Sequence, residues 1–184
     1  MQKTPADEFT VTSKLRFIPN PQLKEKGENC GFVLMGLDYA TVRLTDTNEG
    51  VVLQYVECKD ALALKGTTEQ IIHSIPMKSA SLPVPYSNKY ISATVPPVAP
   101  LAYKSTDVYI KMEVKPRARK GNVPDLAARF FYSLDGKKWH ELTEKTFIGR
   151  PGKWIGAKFG FYCNRSASKN DSGWAQIDWV NVTR

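Results

Sequence analysis

Val108-Tyr-Ile110-Lys-Met112-Glu-Val114 alternates without a break, with Tyr109, Lys111 and Glu113 set between apolar neighbours. A period of two sends successive side chains to opposite faces of an extended strand, one face apolar and one polar. Phe9-Thr-Val11-Thr-Ser-Lys-Leu15-Arg-Phe17 repeats the scheme, placing Phe9, Val11, Leu15 and Phe17 together. Residues 39–45 gather Ala40, Val42 and Leu44, and residues 128–134 run into Asp135-Gly136, a two-residue hairpin signal from which the chain returns through Trp139 and Leu142. Residues 155–163 and 174–182 alternate as well. No segment keeps an apolar stripe at helical spacing for three turns. The pattern predicts an all-β fold, a sandwich of two antiparallel sheets.

A chain of 184 residues is the length of one domain, 1–184, and buries a core without staples. Its 42% hydrophobic and 24% charged residues are a globular composition. The net charge of +8 is scattered, and its one local run, Lys115-Pro-Arg117-Ala-Arg119-Lys120, leads into Gly121-Asn122 and reads as a solvated loop. No nucleic-acid partner is therefore expected. Apolar stretches of four or five residues span no membrane, and residues 1–9, with Lys3, Asp7 and Glu8, carry no signal-peptide core. Residues 74–104 hold Pro76, Pro83, Pro85, Pro96, Pro97 and Pro100, which argues for a proline-rich loop insertion. Its Tyr86, Tyr90 and Tyr103 are placed to cover a sheet edge or border a groove. Cys30, Cys58 and Cys163 are too few and too far apart for a zinc cluster or a disulfide framework. One disulfide with one free thiol and three reduced thiols are both compatible with this spacing. His73 and His140 fit no metal-ligand spacing.

Catalytic motifs are missing from the sequence: there is no Gly-x-Ser-x-Gly elbow, no phosphate-binding glycine loop and no Glu-x-Asp-x-x-Glu run. Glu113 and Asp178 are the acids whose strand positions admit a glycosidase pair, but a lone acid in a strand is more often a solvated or hydrogen-bonded sheet residue. The chain is not expected to be an enzyme on its own. A carbohydrate-binding surface asks for less: an aromatic ring for the apolar face of a sugar and directional partners for its hydroxyls. In residues 156–164, Ala157, Phe159, Phe161 and Cys163 form the apolar side, while Lys158, Tyr162 and Asn164 face the other way, with room left by Gly156 and Gly160. In the last strand Ile177 and Trp179 are expected in the core, opposite Trp174, Gln176 and Asp178. If these two strands are neighbours, Lys158, Tyr162, Asn164, Trp174, Gln176 and Asp178 share one ligand-binding side. The plainer alternatives are packing roles for Trp139, Trp154 and Trp179, a pairing of Lys158 with Asp178 or Glu113, and a merely solvated sheet face.

Four strings carry a family resemblance. Gly31-Phe-Val-Leu-Met-Gly-Leu-Asp-Tyr-Ala40, Phe130-Phe-Tyr-Ser-Leu-Asp-Gly136, Gly152-Lys-Trp-Ile-Gly-Ala-Lys-Phe-Gly-Phe-Tyr-Cys163 and Gly173-Trp-Ala-Gln-Ile-Asp-Trp-Val-Asn-Val182 resemble, in order, the C-terminal domain of family 43 glycoside hydrolases. That domain is the concanavalin A-like sandwich of β-xylosidases and arabinofuranosidases, also classed as carbohydrate-binding module family 91. The resemblance implies a jelly roll with a concave face, attached to a catalytic propeller, in a secreted or periplasmic enzyme. It implies binding of xylan, arabinoxylan or xylo-oligosaccharide without catalysis. The alternative it carries is a structural buttress that shapes the propeller's active site without binding polysaccharide. Lys158 aligns near a position where relatives place an aromatic side chain that closes the propeller's pocket. The string at residues 2–9 resembles a second or third strand, so the family's first strand or strands are expected to be absent. No cofactor is implied, and a structural calcium ion stays open.

Overall fold

The computed structural model describes residues 1–4, 8–61, 68–82, 103–117, 125–150, 152, 156–165 and 172–184. Its regular structure is entirely β: β1 (Gln2–Lys3), β2 (Phe9–Ile18), β3 (Asn29–Met35), β4 (Tyr39–Thr47), β5 (Gly50–Cys58), β6 (Gln70–Pro76), β7 (Ala80–Ser81), β8 (Lys104–Arg117), β9 (Asp125–Ser133), β10 (His140–Glu141), β11 (Phe147–Gly149), β12 (Lys158–Asn164) and β13 (Trp174–Thr183). The first sheet runs β1-β12-β3-β4-β5-β6 and the second β10-β9-β8-β2-β13, with β11 paired to β9 and β7 to β8. Every pairing is antiparallel.

Alternation explains the second sheet directly. Phe9, Val11, Leu15 and Phe17 of β2 are buried beside Val108, Ile110, Met112 and Val114 of β8. Rings then fix how the sheets stack. Phe159 of β12 meets Phe9 of β2 at 5.7 Å, and Tyr55 of β5 meets Phe130 of β9 at 5.3 Å. Such tilted pairs add about 0.5–1.5 kcal/mol each beyond the area they bury. The first sheet behaves differently at its centre, where Val33, Thr41 and Val56 on the outer face are buried as deeply as the core side. An ordinary antiparallel sheet leaves that face solvated.

Several expectations need correction. β12 and β13 are not neighbours: β12 lies between β1 and β3 in one sheet, while β13 is the edge of the other, beside β2. The six candidate residues therefore share no common side. A bulge in β13 also falls at Asp178, because Ile177 pairs with Leu15 but Trp179 with Lys14. One extra residue inverts the faces beyond it. Trp179 consequently leaves the core and is 42% exposed, with its ring 6.4 Å from that of Tyr109. Its carbonyl accepts the buried Ser13 hydroxyl at 2.6 Å.

The proline-rich stretch is not loop throughout, since Ser74 to Pro76 belong to β6, Ala80–Ser81 form β7, and β8 begins at Lys104. Residues 83–102, with Tyr86 and Tyr90, lie outside the described residues, as do Trp154 and residues 118–124. The basic run starts inside β8, where Pro116 pairs with Leu126 of β9. The hairpin after β9 forms, but its connection is longer than two residues: His140 pairs with Tyr132, and the Asp135 carboxylate accepts the Lys137 and Lys138 amides at 2.8 and 2.9 Å.

One buried carboxylate ties distant segments together. Asp38, in the β3–β4 turn and 2% exposed, accepts the Arg150 guanidinium through both oxygens, at 2.7 and 2.5 Å, and the Asp60 amide at 2.9 Å. The Arg150 bonds hold its carboxyl at about 2, below its ordinary value. A group depressed in the folded state contributes stability above its unfolded pKa and loses it as pH falls towards the folded one. Asp38→Asn should therefore cost roughly 1–2 kcal/mol at pH 7, after discounting for the solvent-facing side of Arg150. The gap to the parent protein should close between about pH 4 and pH 2. Urea melts at stepped pH measure this, and a gap that stays constant across that window would sink the assignment.

Candidate binding face

Register lays the outer face of the first sheet out in rows. Lys158, Met35, Tyr39 and Cys58 form one row; Gly160, Val33, Thr41 and Val56 the next. Tyr162, Gly31, Arg43, Gln54 and Ser74 form the third, and Asn164, Asn29, Thr45 and Val52 the fourth. Lys158, Tyr162 and Asn164 thus do lie on one face, as their parity predicts.

Polar groups across that face are bonded to one another. Arg43 donates through Nε to Gln54 Oε1 at 3.0 Å and through Nη1 to Glu69 Oε2 at 2.7 Å. The Tyr39 hydroxyl donates to the other Glu69 oxygen at 2.7 Å, and Thr45 donates to Gln54 Oε1 at 3.0 Å. The Tyr162 hydroxyl lies 3.1 Å from Thr41 Oγ1, which in turn reaches the Phe32 carbonyl at 3.0 Å. Burial, then the bond to Glu69, pushes the Tyr39 phenol up; burial raises Tyr162 against the opposing pull of Thr41 and Arg43. Both hydroxyls keep their protons at physiological pH and remain donors. Glycine at position 31 makes the third row possible. A Cβ there would lie 2.5 Å from the Val42 carbonyl and 2.7 Å from Arg43 Cβ.

Gly160 leaves no open room, because Met1 occupies the space above it, with Met1 Cα 2.9 Å from where a Cβ would stand. Gly156, at φ 67°, does face open space.

The remaining candidates sit elsewhere. Asn164 and Trp174 meet across a cleft of about 100 Å³ at one end of the sandwich, bordered also by Glu28, Asn29 and Gly173. Glu28 is buried and spans the gap, accepting the Gly173 amide at 2.6 Å and the Asn20 amide at 2.9 Å. The Trp174 ring packs against Tyr103 at 5.2 Å. Gln176 and Asp178 belong to the second sheet. Asp178 pairs with Lys14 at 2.8 Å, not with Lys158, and Glu113 pairs with Lys111 at 2.7 Å. Each of the two acids once considered for glycoside cleavage is thus matched with its own lysine. Trp139 rests on the Lys111 ammonium, 5.3 Å from its ring centroid.

Sequence reading missed Tyr39, Arg43, Gln54 and Glu69. Their signal was the run Tyr39-Ala-Thr-Val-Arg43, whose odd-numbered positions are polar as the even-numbered ones of 158–164 are, but no local pattern pairs β4 with β12 through β3. Among the described residues no group of three His, Cys, Asp or Glu is placed to hold a metal ion, and no helix is long and apolar enough to cross a membrane.

The family model for the β-xylosidase C-terminal concanavalin A-like domain matches residues 1–183. The chain belongs to this family. No curated protein matches it. Among solved structures it is similar to a mutant of the GH43 protein BlXynB from Bacillus licheniformis, with TM-score 0.57, 15% identity, 97% of this chain covered and 28% of that one. A second is a GH43 glycoside hydrolase engineered to display both endo-xylanase and exo-arabinofuranosidase activity, with TM-score 0.60, 15% identity and coverage of 97% and 29%. At that identity the likeness concerns the fold, and the chain spans under a third of either protein. This β-xylosidase C-terminal-type domain corresponds to the accessory, non-catalytic part of GH43 enzymes.

The glycine in the third row gives a direct test. Gly31→Ala should destabilise the domain by about 1–3 kcal/mol through overpacking. It should also separate Tyr162 from Arg43, read as altered tyrosine fluorescence in the native state. Wild-type stability in urea would show that the face is not packed as described.

Proposed function

We propose that this domain binds xylan or arabinoxylan on the outer face of the first sheet, as the non-catalytic accessory domain of a secreted or periplasmic GH43 β-xylosidase-like enzyme. The observation that carries the reading is the cluster of Tyr39, Glu69 and Arg43 beside Tyr162 and Lys158. A carboxylate and a guanidinium already held in place by each other lose little freedom when sugar hydroxyls arrive, and two tyrosines supply ring edges and hydroxyls at little entropic cost. Lys158 offers a further donor at the rim. An open face desolvates few groups, so affinity should be weak, about 0.1–1 mM. A neutral ligand also makes binding nearly insensitive to salt, unlike attachment to a polyanion.

A second reading, the structural buttress, has its own observation. β13 ends the second sheet, and its inward-facing Ile177, Val180 and Val182 are 43%, 46% and 39% exposed. An apolar row left open on an edge strand suits packing against a catalytic domain.

Affinity electrophoresis in gels containing xylan, arabinoxylan or glucan separates these readings. Retardation by the xylans that persists at high salt, and that Glu69→Gln and Tyr39→Ala weaken at least severalfold, is the expected result. Retardation lost in Trp174→Ala but kept in Glu69→Gln would move the site to the end cleft shared with Asn164. Free migration in every gel would reject binding. In that case Val180→Asp in a full-length enzyme should lower its thermal midpoint and activity.

A further inference from the structure

Cys30 and Cys163 are directly opposite each other in the β3–β12 ladder. Residues opposed in an antiparallel pair have their Cα atoms about 4.5–5.5 Å apart and their side chains on one face. A disulfide needs about 4.4–6.8 Å between Cα atoms, so this pair needs no backbone movement to be joined. Both are thiols here; Cys30 is buried and Cys163 is exposed at the end of the strand. Cys58, buried on β5, is opposite Tyr39 and has no cysteine partner in register.

We infer that Cys30 and Cys163 form a cross-strand disulfide when the domain meets a small-molecule disulfide oxidant, leaving Cys58 as a thiol. The reaction starts at the accessible sulfur. The Cys163 thiolate attacks one sulfur of the oxidant, forms a mixed disulfide and expels one thiolate. That thiolate takes up the Cys30 proton. The Cys30 thiolate then attacks the Cys163 sulfur, closes the protein disulfide and expels the second thiolate, which takes from solvent the proton that Cys163 had lost to it. Two protein thiols are oxidised and one disulfide is reduced to two thiols, so atoms and electrons balance. The neighbouring Cys30 thiol, acting against burial, lowers Cys163 to about 7 and supplies thiolate near neutral pH, while the same contact and burial push Cys30 up.

The bond would act on the strand that carries Lys158 and Tyr162. Among the described residues β12 has the two-residue β1 on one side, so β3 is its one long partner there. The cross-link fastens the end of that ladder, beside Asn164 and Asn29. Because it joins residues far apart in sequence, it removes much of the freedom of the unfolded chain.

The test uses the native domain treated with oxidised glutathione, then alkylated and digested without reduction. Before alkylation the oxidised chain should be 2 Da lighter than the reduced one, and after digestion a Cys30–Cys163 cross-linked peptide pair and an alkylated Cys58 peptide are expected. The thermal midpoint of the oxidised chain should rise by about 10 °C, reverting on reduction. Cys163→Ser, changed at an exposed position, should abolish both the mass loss and the shift. A persistent glutathione adduct on Cys163, a cross-link containing Cys58, or an unchanged midpoint after complete cross-linking would overturn the inference.

Discussion

Phe159 holds the architecture in register. Its ring lies 5.7 Å from Phe9 in the opposite sheet and 5.9 Å from Phe32 on the adjacent strand. That contact places β12 above β2 and leaves β13 one strand further out, where among the described residues the first sheet sets the two residues of β1 against it. The rest follows from this offset: a well-filled centre, an apolar row uncovered at one edge, and an outer face on the first sheet whose parity is set by Phe159 pointing inward. Truncating such a ring costs about 3–5 kcal/mol in a core, and here it would also loosen the strand that presents Lys158 and Tyr162.

Much of this was legible in the sequence because side-chain parity is a local property. Alternation located β2, β8, β9 and β12, and it sorted Lys158, Tyr162 and Asn164 from Phe159 and Phe161 correctly. Long-range pairing is not local. Nothing between residues 158 and 183 says that one strand joins β3 and the next joins β2, so a reading that made them neighbours assembled six residues that the fold divides. The Asp178 bulge is a second such case. Ile177-Asp-Trp179 alternates as written, yet one unpaired residue turns the tryptophan outward, and only Lys14 and Ser13 on the partner strand reveal it. Glu69 was missed for the same reason, since its importance comes from Arg43 and Tyr39, more than twenty residues earlier.

The two sheets divide the available chemistry. On the second, Lys14 bridges Asp178 and Asp107, Arg16 also holds Asp107, and Glu113 meets Lys111, beside the exposed ring of Trp179. On the first, Tyr39, Glu69, Arg43 and Gln54 are linked over a floor of buried Val33, Thr41 and Val56.

Met1 lies over Gly160, within the second row of the candidate face. Whatever is joined ahead of it starts its path there, whereas Arg184 follows β13 on the other sheet. The choice of terminus for an affinity tag or a fusion partner is therefore not neutral: a leading extension starts over the outer face of the first sheet, and a trailing one starts from the second.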